Sequence, residues 1–334
     1  MHRARPSLAA LLDAAHVVAI PTRTRFRGIS VREAVVFEAP QGATEFSPFP
    51  EYTDAEAATW LRAAIEFGWD AAPGVVRDRV PVNATVPATD PDRVPEILAR
   101  FPGCDTVKVK VAERGQSLAD DVARVSAVRA ALGPSGRLRI DANGGWSVAE
   151  ARTALDALAP YRLDYVEQPC ATVAELAELL PDAHARGTRI AADESVRKAS
   201  DPLAVARAGA ADLLVVKAQP LGGVRRARDI VVEAGLPVIV SSALDTSVGI
   251  SMGLHLAASL PDELLAGACG LGTVALLDGD VTAESLLPDA GTLPVRRPPL
   301  DPDRLADFAA PPERDTWWRE RLARCYTALP ASDS

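Results

Sequence analysis

Three acidic residues recur at an even spacing in the middle of the chain. Asp141, Glu167 and Asp193 are each 26 residues apart, and each follows a short run of mostly apolar residues. If every step is one strand followed by one helix, the three carboxylates reappear at the same height at the ends of neighbouring strands. Carboxylate oxygens without a histidine or cysteine beside them favour Mg²⁺ over zinc, with Mn²⁺ able to substitute. The spacing therefore predicts a magnesium site held by these three residues.

Lysine is rare in this chain, so its positions are informative. Of the 36 basic residues only four are lysines, and three of them, Lys108, Lys110 and Lys217, fall at the ends of apolar runs. Residues two apart on a strand point to the same side, so Lys108 and Lys110 are expected to face the acidic residues together. Neighbouring ammonium groups lower each other's pKa, which frees an amine to act as a base, whereas a guanidinium stays protonated. The three lysines are therefore predicted to be catalytic.

Each of these residues has a structural alternative when it is considered alone. A single acidic residue at a strand end most often caps the next helix, and a Lys-x-Lys pair most often lies on a solvated strand edge. The shared order and period of all six residues favour one common site.

Two further segments are candidates for binding a substrate carboxylate. Ser241 and Ser242 end another apolar run without a histidine nearby in the sequence. They are therefore expected to orient a ligand by hydrogen bonds rather than to act as nucleophiles. The backbone amides around Gly270, in the sequence GLGT, are predicted to bind a carboxylate in a similar way.

The elements that must position these residues are predicted to be repeated strand and helix units. Short β-branched runs alternate with stretches rich in alanine, leucine and arginine, which is typical of a parallel sheet. Seven or eight such units close more naturally into a TIM-like (β/α) barrel than into an open sheet. A doubly wound sheet is the alternative, but no GxGxxG motif opens its first turn. The predicted strands are 81–87, 106–112, 138–144, 165–169, 189–195, 212–219, 237–242 and, with the weakest signal, 268–273.

The two ends of the chain differ from this repeat and are predicted to form an α+β capping domain on the α/β barrel. An alternating strand pattern at 25–39 is followed by an amphipathic helix at 54–67, and the proline-rich tail becomes helical at 317–327. The predicted boundaries are 1–80 for the N-terminal part of the cap, 81–285 for the barrel and 286–334 for the tail that packs back on the cap.

Composition narrows the class of ligand. With 48% hydrophobic and 24% charged residues the chain can bury a full-sized core, and its net charge of −9 argues against nucleic acid as a partner. No apolar run approaches the ~18 residues that a membrane span needs. Four cysteines lie far apart, which suits a reducing compartment. The expected partner is therefore a small carboxylate, and the expected location is the cytoplasm, without a membrane association.

Five motifs resemble those of the muconate-lactonizing subgroup of the enolase superfamily. The resemblance implies an enolase-type barrel with Mg²⁺ bound by Asp141, Glu167 and Asp193. It also implies that Lys110 and Lys217 flank the substrate on opposite faces. The step shared by that superfamily is removal of a proton α to a carboxylate, which leaves an enediolate held by the metal. The motifs cover the whole barrel: VKVK at 107–110, IDANGGW at 140–146, VEQP at 166–169, AADES at 191–195 and VVKAQPLGG at 215–223.

Within the subgroup, the segments 42–52, 80–88 and 241–250 resemble a branch of short dehydratases, which are carbon–oxygen lyases. The resemblance implies syn elimination of water from a hydroxycyclohexadiene carboxylate to give an aromatic ring. In that reaction Lys110 removes the α proton and returns it to the departing hydroxide, while Lys217 stays protonated.

The same resemblance implies that Arg139 contacts the substrate. Racemisation of N-acylamino acids, as the main or a second activity of the same site, is the alternative. A dipeptide epimerase is disfavoured, because GLGT at 270–273 stands where that enzyme has a pair of aspartates. The alternative from a different class is a barrel that has lost catalysis and only binds a ligand.

Overall fold

The N-terminal part of the chain folds into an antiparallel sheet packed against one long helix, in a computed structural model that describes residues 5–26, 28–197 and 201–330. Its elements are helix α1 (Leu8–Asp13), strands β1 (Ala15–Phe26), β2 (Ile29–Phe37) and β3 (Thr44–Phe46), and helix α2 (Asp54–Trp69). Strand β2 lies between β1 and β3. The helix expected at 54–67 is confirmed and extends two residues further.

The single strand expected at 25–39 is instead part of a hairpin. The chain turns at Gly28, whose φ of +80° suits glycine, and β1 runs back to Ala15. Strand β1 escaped prediction because Val17, Val18 and Ile20 are all buried, so the alternation of apolar and polar residues is lost. A strand covered on both faces does not show the period of two.

Seven parallel strands form the barrel sheet, and each pairs with its neighbour in sequence order. The predicted strands from 81–87 to 237–242 each overlap one of them, so the barrel topology is confirmed. A short strand that does not belong to this sheet, β4 (Arg79–Pro81), precedes them. The barrel strands are β5 (Ala84–Val86), β6 (Thr106–Lys110), β7 (Arg137–Asp141), β8 (Leu163–Glu167), β9 (Arg189–Ala192), β10 (Leu213–Val216) and β11 (Val238–Val240).

Residues 268–273 close the barrel without forming the eighth strand that the sequence suggested. Single parallel bridges join Cys269 to Val82 on one side and Gly270 to Ser241 on the other. The prediction of a strand here is wrong because one bridge on each side is too little for a ladder. The barrel therefore closes through an irregular segment.

Helices follow the barrel strands and cover the outside of the sheet. Among the described residues, four helices begin with a capping box, in which a serine or threonine N-cap and an acidic residue three positions later bond to each other's backbone amide. These pairs are Thr53–Glu56, Ser117–Asp120, Ser147–Glu150 and Thr172–Glu175. The helices are α3 (Val94–Leu98), α4 (Leu118–Leu132), α5 (Val148–Leu158), α6 (Val173–Ala185), α7 (Glu194–Arg197), α8 (Ala204–Arg207), α9 (Ala218–Leu221), α10 (Val224–Ala234) and α11 (Ser247–Ser259). Among the described residues, no helix combines the length and the apolar character that crossing a membrane requires.

The tail returns to the start of the barrel and then to the cap. It contains strand β12 (Thr292–Pro294) and helices α12 (Pro302–Asp307) and α13 (Pro312–Ala328). Strand β12 pairs with β4, and α13 packs against α2, α1 and β1. Trp318 is fully buried, with its Nε1 3.1 Å from Glu33 Oε2, and two nitrogens of Arg314 lie 2.7 Å from the same carboxylate. These contacts attach the tail to strand β2.

Trp318→Ala should lower the free energy of unfolding by about 3–5 kcal/mol, because it leaves a large cavity and removes a donor from Glu33. Denaturant unfolding of the purified variant measures the loss. The control is Trp317→Ala, at a neighbouring tryptophan that is only partly buried, and it should cost less. Equal losses from the two substitutions would mean that the tail is not anchored through Trp318.

Candidate active site

The ionisable residues predicted from the sequence lie at the carboxyl ends of consecutive barrel strands. Lys110 pairs in register with Asp141 across β6 and β7, and Asp141 pairs with Glu167 across β7 and β8. Asp193 lies two residues beyond Ala191, the partner of Glu167, so it extends further toward the barrel mouth. All of the predicted site residues except Arg139 line one cavity: Lys108, Lys110, Asp141, Glu167, Asp193, Lys217, Ser241, Ser242 and Gly270.

Each of the three carboxylates is paired with a lysine. Lys108 Nζ lies 2.8 and 3.0 Å from the two carboxylate oxygens of Glu167. Lys110 Nζ donates to Asp141 Oδ2, and Lys217 Nζ donates to Asp193 Oδ2. All six side chains are buried. The cavity therefore holds three positive and three negative groups that are largely removed from water.

Burial and neighbouring charges separate the pKa values of the carboxyl groups. Burial, together with Asp141, raises the pKa of Glu167 to about 7. Burial also acts to raise the pKa of Asp141, but the ammonium groups of Lys110 and Lys108 outweigh it and hold that pKa well below its usual range. Asp193 behaves like Asp141, since Lys217 and Arg197 lower its pKa against the effect of burial. Glu167 is thus the carboxylate whose charge is least compensated.

Lys108 does not follow the expectation that neighbouring ammonium groups lower each other's pKa. Burial opposes the charged form of Lys108, but Glu167 and Asp141 outweigh it and raise the pKa of Lys108 above its usual value. Their carboxylate oxygens lie 2.8 and 3.6 Å from Lys108 Nζ. Burial lowers the pKa of Lys217 to about 8, with Asp193 acting in the opposite direction.

The donor set fits a hard divalent cation. It consists of carboxylate oxygens, and the raised pKa of Glu167 marks a place where added positive charge is favourable. In the described part of the chain, no three acidic, histidine or cysteine side chains are already grouped as ligands of one ion. Each carboxylate faces a lysine instead. Binding of a cation therefore requires the ammonium groups to turn away from the carboxylates.

Gln168 and Arg197 support Asp193, although neither residue was predicted from the sequence to belong to the site. The side-chain oxygen of Gln168 accepts hydrogen bonds from the N–H groups of Asp193 and Ser195, at 3.0 and 3.1 Å. Gln168 has φ +38°, a strained conformation for a residue with a side chain. Arg197 Nε lies 3.0 Å from Asp193 Oδ1, and its Nη1 lies 3.0 Å from the hydroxyl of Tyr52 in the cap. In the sequence, Gln168 is the middle residue of the EQP motif, and this motif is the signal that could have identified it as a site residue.

The predicted substrate-binding residues differ in their placement. The hydroxyl of Ser242 lies 3.0 Å from Gly270 O and 2.7 Å from Thr273 Oγ1, so it joins two walls of the cavity.

Arg139 lies deeper in the barrel. Its Nε is 2.9 Å from Asp164 Oδ2, its Nη1 donates to Ala268 O at 2.6 Å, and it is fully buried. Arg139 is not among the residues that line the cavity, and its substrate contact stays a prediction.

A second cavity of about 470 Å³ adjoins the first on the side of Lys110. The two share Phe26, Lys110 and Asn143, and Lys110 Nζ lies 5.5 Å from the centre of the Phe26 ring. Since Phe26 ends strand β1, the capping domain supplies part of the rim. A ligand held at the carboxylates can therefore extend past Lys110 into this space.

Comparisons with known proteins agree with the fold. Residues 17–68 match the family model described as enolase N-terminal domain-like, and residues 96–299 match the model described as enolase C-terminal domain-like. Among solved structures, the muconate lactonizing enzyme of Pseudomonas fluorescens superposes with a TM-score of 0.74 at 23% identity, covering 89% of this chain and 98% of that one. The L-Ala-D/L-Glu epimerase of Bacillus subtilis gives a TM-score of 0.72 at 22% identity, covering 86% and 96%. These structural likenesses show the fold alone.

Curated relatives are much more similar in sequence. The o-succinylbenzoate synthase of Mycobacterium tuberculosis is 56% identical over 325 residues, which cover 97% of this chain and 97% of that protein. The o-succinylbenzoate synthase of Mycolicibacterium smegmatis is 55% identical over 326 residues, which cover 97% and 98%. The chain belongs to the enolase superfamily and, within it, to the o-succinylbenzoate synthase family of hydro-lyases.

Gln168→Ala should weaken the binding of Mn²⁺ by about 10–100-fold, because Asp193 would lose the acceptor that fixes its backbone. Titration of the purified variant with Mn²⁺, followed by electron paramagnetic resonance, measures the affinity. Gln41→Ala, at a partly buried glutamine of the cap, is the control and should bind Mn²⁺ like the wild type. Wild-type affinity in the Gln168 variant would contradict its supporting role.

Proposed function

We propose that this protein catalyses the dehydration of 2-succinyl-6-hydroxy-2,4-cyclohexadiene-1-carboxylate to o-succinylbenzoate, a step of menaquinone biosynthesis. The observation that carries the proposal is the convergence of three buried carboxylates and three buried lysines at the mouth of one barrel. The identity of 56% to a protein named o-succinylbenzoate synthase, over 97% of the chain, supports the choice of substrate.

In this proposal Asp141, Glu167 and Asp193 hold Mg²⁺, and Mn²⁺ can replace it. A bound Mg²⁺ supplies positive charge that stabilises a substrate carboxylate while its α carbon loses a proton. Gln168 and Arg197 keep Asp193 oriented through the hydrogen bonds described above. The lysines then turn toward the ligand, because the ion takes over the compensation of the carboxylates.

The charge balance of the cavity favours an anionic ligand. With Lys110 in the neutral form that a base needs, two ammonium groups and a divalent ion would face three carboxylates and leave a surplus of one positive charge. The ring carboxylate of the proposed substrate neutralises this surplus, and the second carboxylate lies on the succinyl chain. The cavity of about 470 Å³ beside Lys110 provides space for the chain.

Lys110 is the proposed base. Its Nζ lies 2.8 Å from Asn143 Oδ1 and borders both cavities, so it reaches a ligand that spans them. Lys110 takes the α proton, and the resulting ammonium delivers a proton to the hydroxide that leaves on the same face. One C–H bond and one C–O bond break, water departs and the ring becomes aromatic.

The remaining lysines act through their charge. Lys217 enters the cavity from β10, on the far side from Lys110. There, as an ammonium, it stabilises the enediolate. Lys108, whose pKa is raised, likewise acts as an ammonium. Ser241, Ser242 and the backbone around Gly270 are proposed to contact the ring carboxylate or its neighbours.

Racemisation of an N-acylamino acid is the second candidate. It is favoured by the placement of Lys110 and Lys217 on strands at opposite sides of the cavity, since a racemase needs a donor and an acceptor on opposite faces. The two activities can share one site, because both begin with removal of a proton α to a carboxylate.

Removal of the metal should abolish turnover. Exhaustive chelation is expected to stop formation of the aromatic product, and addition of Mg²⁺ or Mn²⁺ should restore it. The ultraviolet absorbance of o-succinylbenzoate follows the reaction, and a circular dichroism spectrum of the chelated protein checks that the fold is retained. Full activity in the chelated protein would contradict the metal role of the three carboxylates.

The two lysines should respond differently to arginine. Lys110→Arg is expected to lose about 10³-fold or more in kcat/KM for dehydration, because a guanidinium cannot become a base. Lys217→Arg keeps the positive charge, so dehydration should suffer less.

Racemisation of an N-succinylamino acid separates the two candidates. Both substitutions should stop it, because each lysine must change its protonation state in that reaction. Equal loss of dehydration in two folded variants that bind metal normally would contradict a mechanism with one base. A wild type that racemises the amino acid but forms no aromatic product would favour the second candidate.

A further inference from the structure

Helix α11 follows the seventh barrel strand and lacks the acidic residue that begins four other helices. Thr246 is its N-cap, and Gly249 occupies the position three residues later, where those helices carry glutamate or aspartate. Glycine offers no side chain to accept a hydrogen bond from the amide of the N-cap. The start of α11 therefore needs an acceptor from elsewhere in the fold.

Glu45, on strand β3 of the capping domain, supplies that acceptor. Its Oε2 lies 3.2 Å from Thr246 N and 3.1 Å from Gly249 N, and it also accepts a hydrogen bond from the Thr246 hydroxyl. A Cβ atom at Gly249 would lie 2.7 Å from Cδ of Glu45, which is too close. Glycine at this position thus makes room for a carboxylate that comes from the other domain. Glu45 thus accepts hydrogen bonds from both amides although it lies 201 and 204 residues from them in the sequence.

The first amide groups of α11 are all satisfied. Ser247 N donates to Asp280 Oδ1 at 3.1 Å, and Val248 N donates to the Thr246 hydroxyl at 3.2 Å. With the two amides bound by Glu45, no N–H of residues 246–249 is left to water. These residues are also fully or almost fully buried. Loss of Glu45 would leave buried donors that no nearby solvent can satisfy.

Arg32 of strand β2 holds the residues immediately before the helix. Its Nε lies 3.1 Å from Leu244 O, and its Nη2 lies 3.8 Å from Asp245 Oδ1 and donates to Ser47 O. Leu244 has φ +63°, a conformation that a leucine adopts only when its surroundings impose it. Since Leu244 lines the catalytic cavity, Arg32 and Glu45 both act on a segment that forms its wall.

The buried charged residues Arg32, Glu45 and Asp245 are poorly suited to a purely stabilising role. Arg32, Glu45 and Asp245 are buried, so two carboxylates share one guanidinium. Burial, with Asp245 beside it, raises the pKa of Glu45 to about 7, and burial also raises the pKa of Asp245. Apolar side chains would fill such a place at least as favourably. The hydrogen bonds instead specify one conformation for residues 243–249.

We propose that Glu45 and Arg32 are positioning residues, through which the capping domain fixes residues 243–249 as one wall of the catalytic cavity and thereby sets the affinity for substrate. The identity of the substrate in this proposal rests on the proposed function. The anchoring of residues 243–249 does not, because it depends only on contacts within this chain. Neither residue lines the cavity itself.

The test compares Glu45→Ala, Glu45→Gln and Arg32→Lys with the control Glu33→Ala in the full-length protein. Glu33 lies on the same capping sheet, and its side chain bonds to the tail instead of residues 243–249. Hydrogen exchange of the amides of residues 246–249, followed by mass spectrometry without ligand, reports the anchoring. Steady-state kinetics of dehydration and calorimetric binding of o-succinylbenzoate report the affinity.

Glu45→Ala should speed exchange at residues 246–249 and raise KM and the product dissociation constant by about 10-fold or more, with kcat changed by less than about 3-fold. Glu45→Gln should recover much of the loss, since its amide oxygen can still accept from Thr246 N and Gly249 N. Arg32→Lys should resemble Glu45→Ala, and it decides the question if the alanine variant does not fold. Glu33→Ala should lower the midpoint of thermal unfolding without changing KM.

Wild-type exchange and wild-type KM in folded Glu45→Ala and Arg32→Lys would overturn the proposal. So would an equal rise of KM in Glu33→Ala, because the effect would then be general loosening of the cap. A wild type that neither forms nor binds o-succinylbenzoate refutes the proposed function, whereas the exchange of residues 246–249 still decides the anchoring.

Discussion

The structure depends on the burial of three carboxylates at one end of a parallel barrel. Parallel pairing of β6, β7 and β8 brings Lys110, Asp141 and Glu167 into register, so these charges cannot be separated without breaking the sheet. Like charges so close together in a dry cavity must be compensated. In this protein lysines on neighbouring strands provide the compensation, and it is incomplete at Glu167, whose pKa is raised. The strand order therefore places the three carboxylates where an added cation would be favourable.

The capping domain contributes to the site through contacts with residues that follow the barrel strands. Phe26 forms part of the rim of the cavity, and Tyr52 bonds to Arg197, which in turn holds Asp193. On the opposite side, Arg32 and Glu45 hold the loop after β11. The tail is attached to the cap through Trp318 and Arg314, at a place that does not contact residues 243–249.

The sequence predicted the parts of the fold that repeat. Alternating apolar runs and helical stretches predicted seven of the barrel strands, and the 26-residue spacing predicted that the three carboxylates share a cavity. It could not predict β1, whose consecutive buried valines hide the period of a strand, or the irregular closure at 268–273. The pattern of apolar and polar residues within a segment does not show which distant segment of the chain it will pair with.

Among the predicted site residues, Arg139 is the one that does not line the cavity. Arg139 lies two residues before Asp141, so the sequence predicts that both side chains are on the same face of the strand. The spacing does not predict how far from the mouth of the barrel the guanidinium lies. The guanidinium binds Asp164 and Ala268 O below the carboxylates. The cap of α11 was likewise hidden, because Glu45 and Gly249 are 204 residues apart and only the folded chain brings them together.

A crystal structure of the protein with Mg²⁺ and o-succinylbenzoate would show whether the three carboxylates hold the metal. We expect one octahedral ion with oxygens of Asp141, Glu167 and Asp193 at about 2.0–2.1 Å. We also expect Lys110 and Lys217 to turn away from the carboxylates to opposite faces of the product. An ion bound elsewhere, or product bound while both lysines keep their carboxylate partners, would contradict the proposed site.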